Sequence, residues 1–387
     1  MKIAIICSYD FSIAWSLEIF VKKLLLEHQV TVMSDMHDGH SPGHYTNIMK
    51  KWGVKHEYVK TYRFLSPYED LKYLFTLYRK LKNEDYDLVI NVATKPNIYG
   101  SIAARVAGVE KIVCFGWGLG LTFEKTKNIG RIILRYVLSA LYWYAFKVSR
   151  KVWFTNQLDL DYLASKKIIN PSKAFVTRGF VDTNLYSPDS VPASTTINLR
   201  DELGYLQTDK VIILVARMSW AKGIRQFCES SDALRNKYPE VKFLMVGQED
   251  TGSPDSVPKA FIENYQKYEN FKHLGYRIDI KELYSICYLA VFPSYYREGG
   301  WPRGLTEPMA MGKPVITTDN VHCSGAVIDG YNGLIVPIKD SKALAHGIET
   351  LVNNREMAEG FGKKSRKKAL EDLNEELIMQ DLVKAIV

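Results

Sequence analysis

Long apolar runs, internal repeats, low-complexity tracts and metal-ligand spacings are all missing from this chain of 387 residues, and each absence removes a class of protein. Without some 18 or more consecutive apolar residues there is no candidate for a membrane-spanning helix. Without biased tracts there is no case for a disordered or fibrous chain. Cysteine is sparse: Cys7, Cys114, Cys228, Cys287 and Cys323 are odd in number, far apart and mostly inside apolar runs. They read as reduced core residues of a cytosolic protein rather than as a disulfide framework or a zinc site. The apolar stretch from Met1 to Cys7 is too brief for a secretory signal and is followed by Asp10, so it reads as a first buried strand.

What is present is a globular composition, 47% apolar and 24% charged, with a formal net charge of +8. That charge favours acidic partners, of which phosphorylated substrates, anionic lipid and nucleic acid are the three classes. No nucleic-acid-binding module is recognisable. The length predicts two domains of roughly 200 residues each. Short apolar runs at 3–7, 30–33, 56–58, 88–92, 111–115 and 152–155 alternate with amphipathic stretches in the first half, and runs at 211–216, 242–246, 289–292, 314–317 and 333–336 do so in the second. Such alternation predicts two doubly wound parallel sheets. A polar, turn-rich stretch near 180–208 reads as the linker, and the cleft between domains is the expected binding site.

The stretch 128–151 is apolar and aromatic with basic residues at both ends. Arg131 and Arg135 interrupt it, so it is either an interfacial helix on a membrane surface or a core helix with snorkelling ends. Polar clusters elsewhere carry less. His37, His40 and His44 fall in a loop with glycine and proline, and no metal is assigned to them. Asp159 and Asp161 read as the first turn of a helix.

The chemistry concentrates after the apolar run 289–293. Glu298 ends that strand, Gly299 and Gly300 let a ligand approach the backbone, and a helix start follows. Its unpaired N–H groups favour an anion such as a diphosphate. Glu307, one turn into the helix, suits a bidentate hydrogen bond to a sugar or ribose diol. Upstream, Arg217 and Lys222 sit after the run 211–216, at a spacing that lets both cations converge on one ligand at the strand's carboxyl end. Together these parts describe a nucleotide-sugar pocket.

At this point the sequence resembles the retaining glycosyltransferases of family GT4, which have the GT-B fold. The matching features are Arg217 with Lys222 four residues between, and the run from Glu298 through Pro302, Arg303, Glu307, Met309, Gly312, Lys313 and Pro314. The family places seven residues between its two glutamates; here eight separate Glu298 from Glu307, and the extra one falls in 299–301. The resemblance implies an α/β architecture of two Rossmann-like domains facing a central cleft: an acceptor-binding domain at 1–185, a nucleotide-sugar-binding domain at 186–370, and a C-terminal helix at 371–387 crossing back to the first.

It further implies site roles. Arg217, Lys222 and Glu298 would be catalytic; Glu307, Gly299, Gly300, Leu305, Thr306, Gly247, Tyr276 and Arg277 would bind the donor, the last two through the backbone around a nucleobase. Lys95 in the Thr94 to Gly100 segment, and Gly118 and Gly120 in a glycine-rich loop, resemble acceptor-binding segments of enzymes that extend undecaprenyl-diphosphate-linked saccharides. The implied function is retaining transfer of a hexose or N-acetylhexosamine from a UDP-sugar to a polyprenyl-diphosphate-linked saccharide in surface polysaccharide or glycan synthesis. No metal or cofactor is implied, since the nucleotide-sugar is a substrate. The implied location is cytoplasmic, peripheral to an anionic inner membrane face. A UDP-hexosamine 2-epimerase and a catalytically silent sugar-nucleotide-binding subunit are the alternatives.

Overall fold

The computed structural model describes residues 1–36, 43–62, 66–116, 123 and 128–387. The chain forms two compact units, Met1–Arg178 with Glu376–Val387, and Gly179–Glu375.

The first unit is built on a seven-stranded parallel sheet: β1 (Lys2–Tyr9), β2 (Gln29–Asp35), β3 (Lys55–Tyr58), β4 (Leu88–Val92), β5 (Lys111–Gly116), β6 (Lys151–Phe154) and β7 (Ala174–Val176). Its spatial order is β3-β2-β1-β4-β5-β6-β7. Ile3 to Cys7 and all of β4 are buried, as a sheet covered by helices on both faces requires. The chain winds outward from β1 to β3 and then returns to start β4 on the other side of β1.

The second unit repeats the scheme with six parallel strands: β8 (Lys210–Val215), β9 (Val241–Val246), β10 (Phe271–His273), β11 (Cys287–Phe292), β12 (Val315–Thr318) and β13 (Gly333–Val336). Their order, β10-β9-β8-β11-β12-β13, is that of a Rossmann sheet. Its reversal point lies between β8 and β11. Ligands of such sheets bind in the crevice outside the carboxyl ends of the strands at that point, so Val215 and Phe292 mark where chemistry is to be sought.

Four elements differ from the sequence expectation or resolve it. The turn-rich stretch near 180–208 contains a helix, Ala193–Leu203, whose Leu199 and Leu203 are buried and which ends at Gly204 in the left-handed conformation (φ +67°). β7 and β10 were not expected at all; each is a three-residue edge strand. The long helix Ile129–Val148 is divided: Tyr142, Ala145 and Phe146 are buried, while Ile129, Ile133, Tyr136, Val137 and Trp143 are exposed. Its C-terminal turns are core, and its first turns present an apolar face to solvent. No described helix is long and apolar enough to cross a membrane. All five cysteines are buried.

Candidate functional site

The loop between β8 and the helix Ile224–Arg235 carries the first two sequence candidates. It is pinned from three directions. Asp255 accepts the Ser219 hydroxyl and the Ala221 amide (2.9 Å), its carbonyl accepts the Trp220 amide (2.9 Å), and the Ala221 carbonyl accepts the Tyr295 amide (2.8 Å). The last of these ties the loop to the segment following β11. Gly223 allows the approach with φ +79°, since a Cβ there would fall 2.2 Å from the Pro293 carbonyl oxygen.

This lashing brings Lys222 to Glu298. The Lys222 ammonium donates to both carboxylate oxygens, 2.6 Å to Oε1 and 2.7 Å to Oε2. Ser294 Oγ donates to the same Oε1 at 2.8 Å. The rings of Tyr296 and Phe292 lie 4.9 and 5.4 Å from Nζ. Both charged side chains are nearly buried, 12% and 9% exposed. A close ion pair therefore sits at the reversal point of the second sheet.

Arg217 points elsewhere. Its Nη1 donates to Asp250 Oδ1 at 2.9 Å and its side chain is half exposed (52%). The two cations flank the carboxyl end of β8, but each has its own carboxylate. Gly247 (φ +147°) ends β9 against β8, where a Cβ would meet the Ala216 carbonyl oxygen at 1.7 Å. The contact between strands alone requires glycine at that position.

The helix Arg303–Ala310 begins against the same crevice, with Gly304 so close to the Val215 carbonyl that a Cβ would fall 2.5 Å away. Leu305 and Thr306 are fully buried, and their amides already donate to the Pro302 carbonyl (2.9 and 3.0 Å). An anion would have to meet this helix before them, from Gly304 back into the Gly299–Gly300 loop. The extra residue of that loop is anchored by Trp301, which packs on Gly179 and Gly325.

Glu307 is buried, and burial pushes its pKa up to about 7 against the opposing pull of Arg303 and Tyr186. Because the folded value exceeds the unfolded one, folding takes up a proton between about pH 4.5 and 7, so stability from this group is fully present below that window and lost as pH rises through it. The buried charge then costs about 3 kcal/mol above pH 7. Glu307→Gln should raise the melting temperature at pH 8 and leave it nearly unchanged at pH 5; equal shifts at the two pH values would refute this account.

On the nucleobase side, Tyr276 is half exposed and Arg277 is committed to carboxylates, with Nε and Nη2 on Asp279 (2.8 and 2.5 Å) and Nη1 on Glu202 (3.0 Å). Asp279 stands at the N-cap of Ile280–Ile286 but makes no capping bond there; Arg277 takes its carboxylate and lowers its pKa. A charge-assisted pair thus takes the carboxylate that would otherwise cap this helix.

In the first unit, Lys95 follows Ala93, a non-glycine residue at φ +85°, and precedes a π-helical turn, Pro96–Gly100. Its ammonium pairs with the buried Asp70, which also accepts the Tyr99 hydroxyl at 3.3 Å. This places a fixed cation near the carboxyl end of β4, beside the reversal point of the first sheet. Gly118 and Gly120 lie outside the described residues, as do His37 and His40. Asp159 sits in the first turn of Gln157–Ser165, its amide bonded to Asn156. Among the described residues no cluster of three or more His, Cys, Asp or Glu could hold a metal.

Sequence reasoning missed Ser294, Asp250, Asp255 and Asp70, the residues that hold the cations or their loops. Asp250 and Ser294 follow the ends of β9 and β11, and that position was the available signal.

A profile of the family described as "Glycosyl transferases group 1" matches residues 196–368, and one described as "Glycosyl transferase 4-like" matches residues 8–156. Similar curated proteins include the N,N'-diacetylbacillosaminyl-diphospho-undecaprenol alpha-1,3-N-acetylgalactosaminyltransferase of Campylobacter jejuni, 27% identical over 348 residues that cover 88% of this chain and 87% of that one. The UDP-Gal:alpha-D-GlcNAc-diphosphoundecaprenol alpha-1,3-galactosyltransferase of Escherichia coli is 26% identical over 301 residues, 76% of this chain and 73% of that one. Among solved structures, HepE of Anabaena in complex with UDP superposes with a TM-score of 0.78 at 20% identity, covering 99% of both chains. At that identity the likeness speaks for the fold.

Proposed function

The chain belongs to the GT4-type glycosyltransferases of GT-B fold, and we propose that it moves a hexose or N-acetylhexosamine from a UDP-sugar, with retention, to a polyprenyl-diphosphate-linked saccharide. The observation that carries this reading is the Lys222–Glu298 pair at the reversal point of the second sheet, with Arg217 and the glycine loop beside it. The C1–O bond to the diphosphate breaks and the acceptor oxygen bonds C1 on the same face. The acceptor's proton passes to an oxygen of the departing phosphate. Lys222 and Arg217 neutralise the charge that develops on that diphosphate, and the ionised form of Glu307 accepts the ribose hydroxyls. A covalent intermediate on Glu298 is disfavoured because its oxygens already receive Lys222 and Ser294. The two curated relatives named above support the acceptor class by what they act on.

The acceptor's lipid also implies a membrane surface. The exposed residues Ile129, Ile133, Tyr136 and Val137 recur at helical spacing beside Arg131 and Arg135, and the helix Ile129–Val148 contains no acidic residue. That face complements an anionic bilayer. One assay tests both readings: a panel of UDP-, GDP- and dTDP-sugars with a prenyl-diphosphate-linked N-acetylhexosamine in anionic or zwitterionic vesicles, following nucleotide release, product mass and anomeric configuration. Acceptor-dependent release with one UDP-sugar, faster on anionic vesicles, is the expected result. Donor binding without release on any such acceptor would overturn the acceptor assignment, and equal rates on both vesicle types would overturn the membrane face.

A further inference from the structure

We propose that Phe11 and Trp15 form an aromatic ledge in the first unit that binds the saccharide of the acceptor, with the apolar face of one sugar ring lying on the Trp15 indole. The inference deepens the acceptor reading above and rests on it.

The ledge stands where the first sheet would receive a ligand. β1 and β4 flank the reversal point of that sheet and pair in parallel, with Cys7 opposite Val92. Phe11 follows soon after Cys7 and Lys95 soon after Val92, so both emerge at the same carboxyl edge of adjacent strands. A saccharide carried on a diphosphate needs a cation for one part and a surface for the other. Lys95, fixed by Asp70, supplies the first. The helix Asp10–Ser16 supplies the second.

The rings are held in place before any ligand arrives. Asp10, buried at the end of β1, accepts the Phe11 amide (2.8 Å) on one carboxylate oxygen and the Thr46 amide and hydroxyl (3.1 and 3.0 Å) on the other. Those bonds lash the helix Asp10–Ser16 to the helix His44–Lys51, whose buried Tyr45 sets its ring edge against Phe11 at 5.2 Å. Phe11 in turn lies nearly parallel to Trp15, with centroids 6.0 Å and planes 24° apart. Trp15 completes the stack and is still 46% exposed, an uncommon state for so large an apolar side chain. Trp143, exposed to the same degree, shows the contrast in charge. Lys147 stands 4.8 Å over its ring, on a helix without acidic residues that suits an anionic bilayer. The helix Asp10–Ser16 has no basic residue, and Glu18 just beyond it is paired with Lys22. A neutral, polyhydroxylated ring suits this ledge better than an anionic surface does: its C–H groups meet the electron-rich face of the indole while its hydroxyls stay in water.

Initial rates with an N-acetylhexosamine on a short prenyl diphosphate, soluble without vesicles, separate sugar binding from membrane binding. Trp15→Ala should raise KM for this acceptor by about five- to tenfold. KM for the UDP-sugar and partition into anionic vesicles should stay as in the parent protein. Trp15→Phe, which keeps a ring, should hold the acceptor KM to within about twofold of the parent. Because the indole is half exposed, its loss opens no core cavity, and an unchanged melting temperature checks that. An acceptor KM that does not rise in Trp15→Ala overturns the inference. So does a rise matched by an equal loss of UDP-sugar binding or of vesicle binding, which would make Trp15 a structural or a membrane contact. The two readings fail separately: if the parent protein transfers to no prenyl-diphosphate-linked saccharide, the acceptor reading fails and the ledge with it, whereas normal transfer by both parent and Trp15→Ala removes the ledge alone.

Discussion

Lys222→Ala should lower kcat/KM by about 10²- to 10³-fold, the usual loss when one preorganised donor to a developing negative charge is removed. It should also lower stability, because the change strands a carboxylate that is only 9% exposed. Breaking a buried pair from one side costs about 3–5 kcal/mol, or roughly 10 °C of melting temperature for a unit of this size. The two effects can be separated. A Lys222→Met, Glu298→Leu double variant removes both charges and should recover most of the stability while remaining inactive. Arg217→Ala provides a contrast, since its partner Asp250 leaves it half exposed. Its stability should stay within about 0.5 kcal/mol of the parent, while turnover falls by about tenfold or more. Near-normal turnover in the Lys222 variants, measured as acceptor-dependent nucleotide release, would sink the phosphate-binding role.

What was legible in the sequence follows from how each part is buried. β1, β4, β8 and β11 are covered by helices, so they appear as near-continuous Val, Ile and Leu runs and were placed to within two residues. β7 and β10 are sheet edges of three residues, and the Phe-Lys-His sequence of β10 has neither a run nor an alternation to reveal it. The helix Ala193–Leu203 opens on Ser194, Thr195 and Thr196 and buries only two leucines, so its composition imitated a linker. For the site, loop positions after strand ends pointed to Lys222, Arg217 and Glu298 individually. Their partnering was not legible. Lys222 and Glu298 stand 76 residues apart, and their direct bond depends on two loops being tied together by backbone contacts. Periodicity records which face of an element is buried and says nothing of which loop tips meet.

Gly223 is where that meeting is most exposed to a single change. Its φ of +79° alone would burden alanine by about 1–2 kcal/mol. The larger penalty is steric: a Cβ would stand 2.2 Å from the Pro293 carbonyl oxygen and 2.7 Å from its carbon, both backbone atoms that cannot rotate away. One of the two segments must therefore move. The Tyr295 amide and Ala221 carbonyl would separate, and with them Lys222 and Glu298. Gly223→Ala should thus cost about 3–4 kcal/mol and reduce turnover by about 10²-fold, because an ångström of displacement at a charge-stabilising group is enough for that. Gly330→Ala is the control for backbone strain. Gly330 has a similar φ, +69°, with nothing within 4 Å of its added methyl group, so it should lose only about 1 kcal/mol and keep full activity. Equal destabilisation of the two variants would mean that strain alone accounts for the loss at Gly223, and that the contact between the Lys222 loop and Pro293 is not what holds the site together.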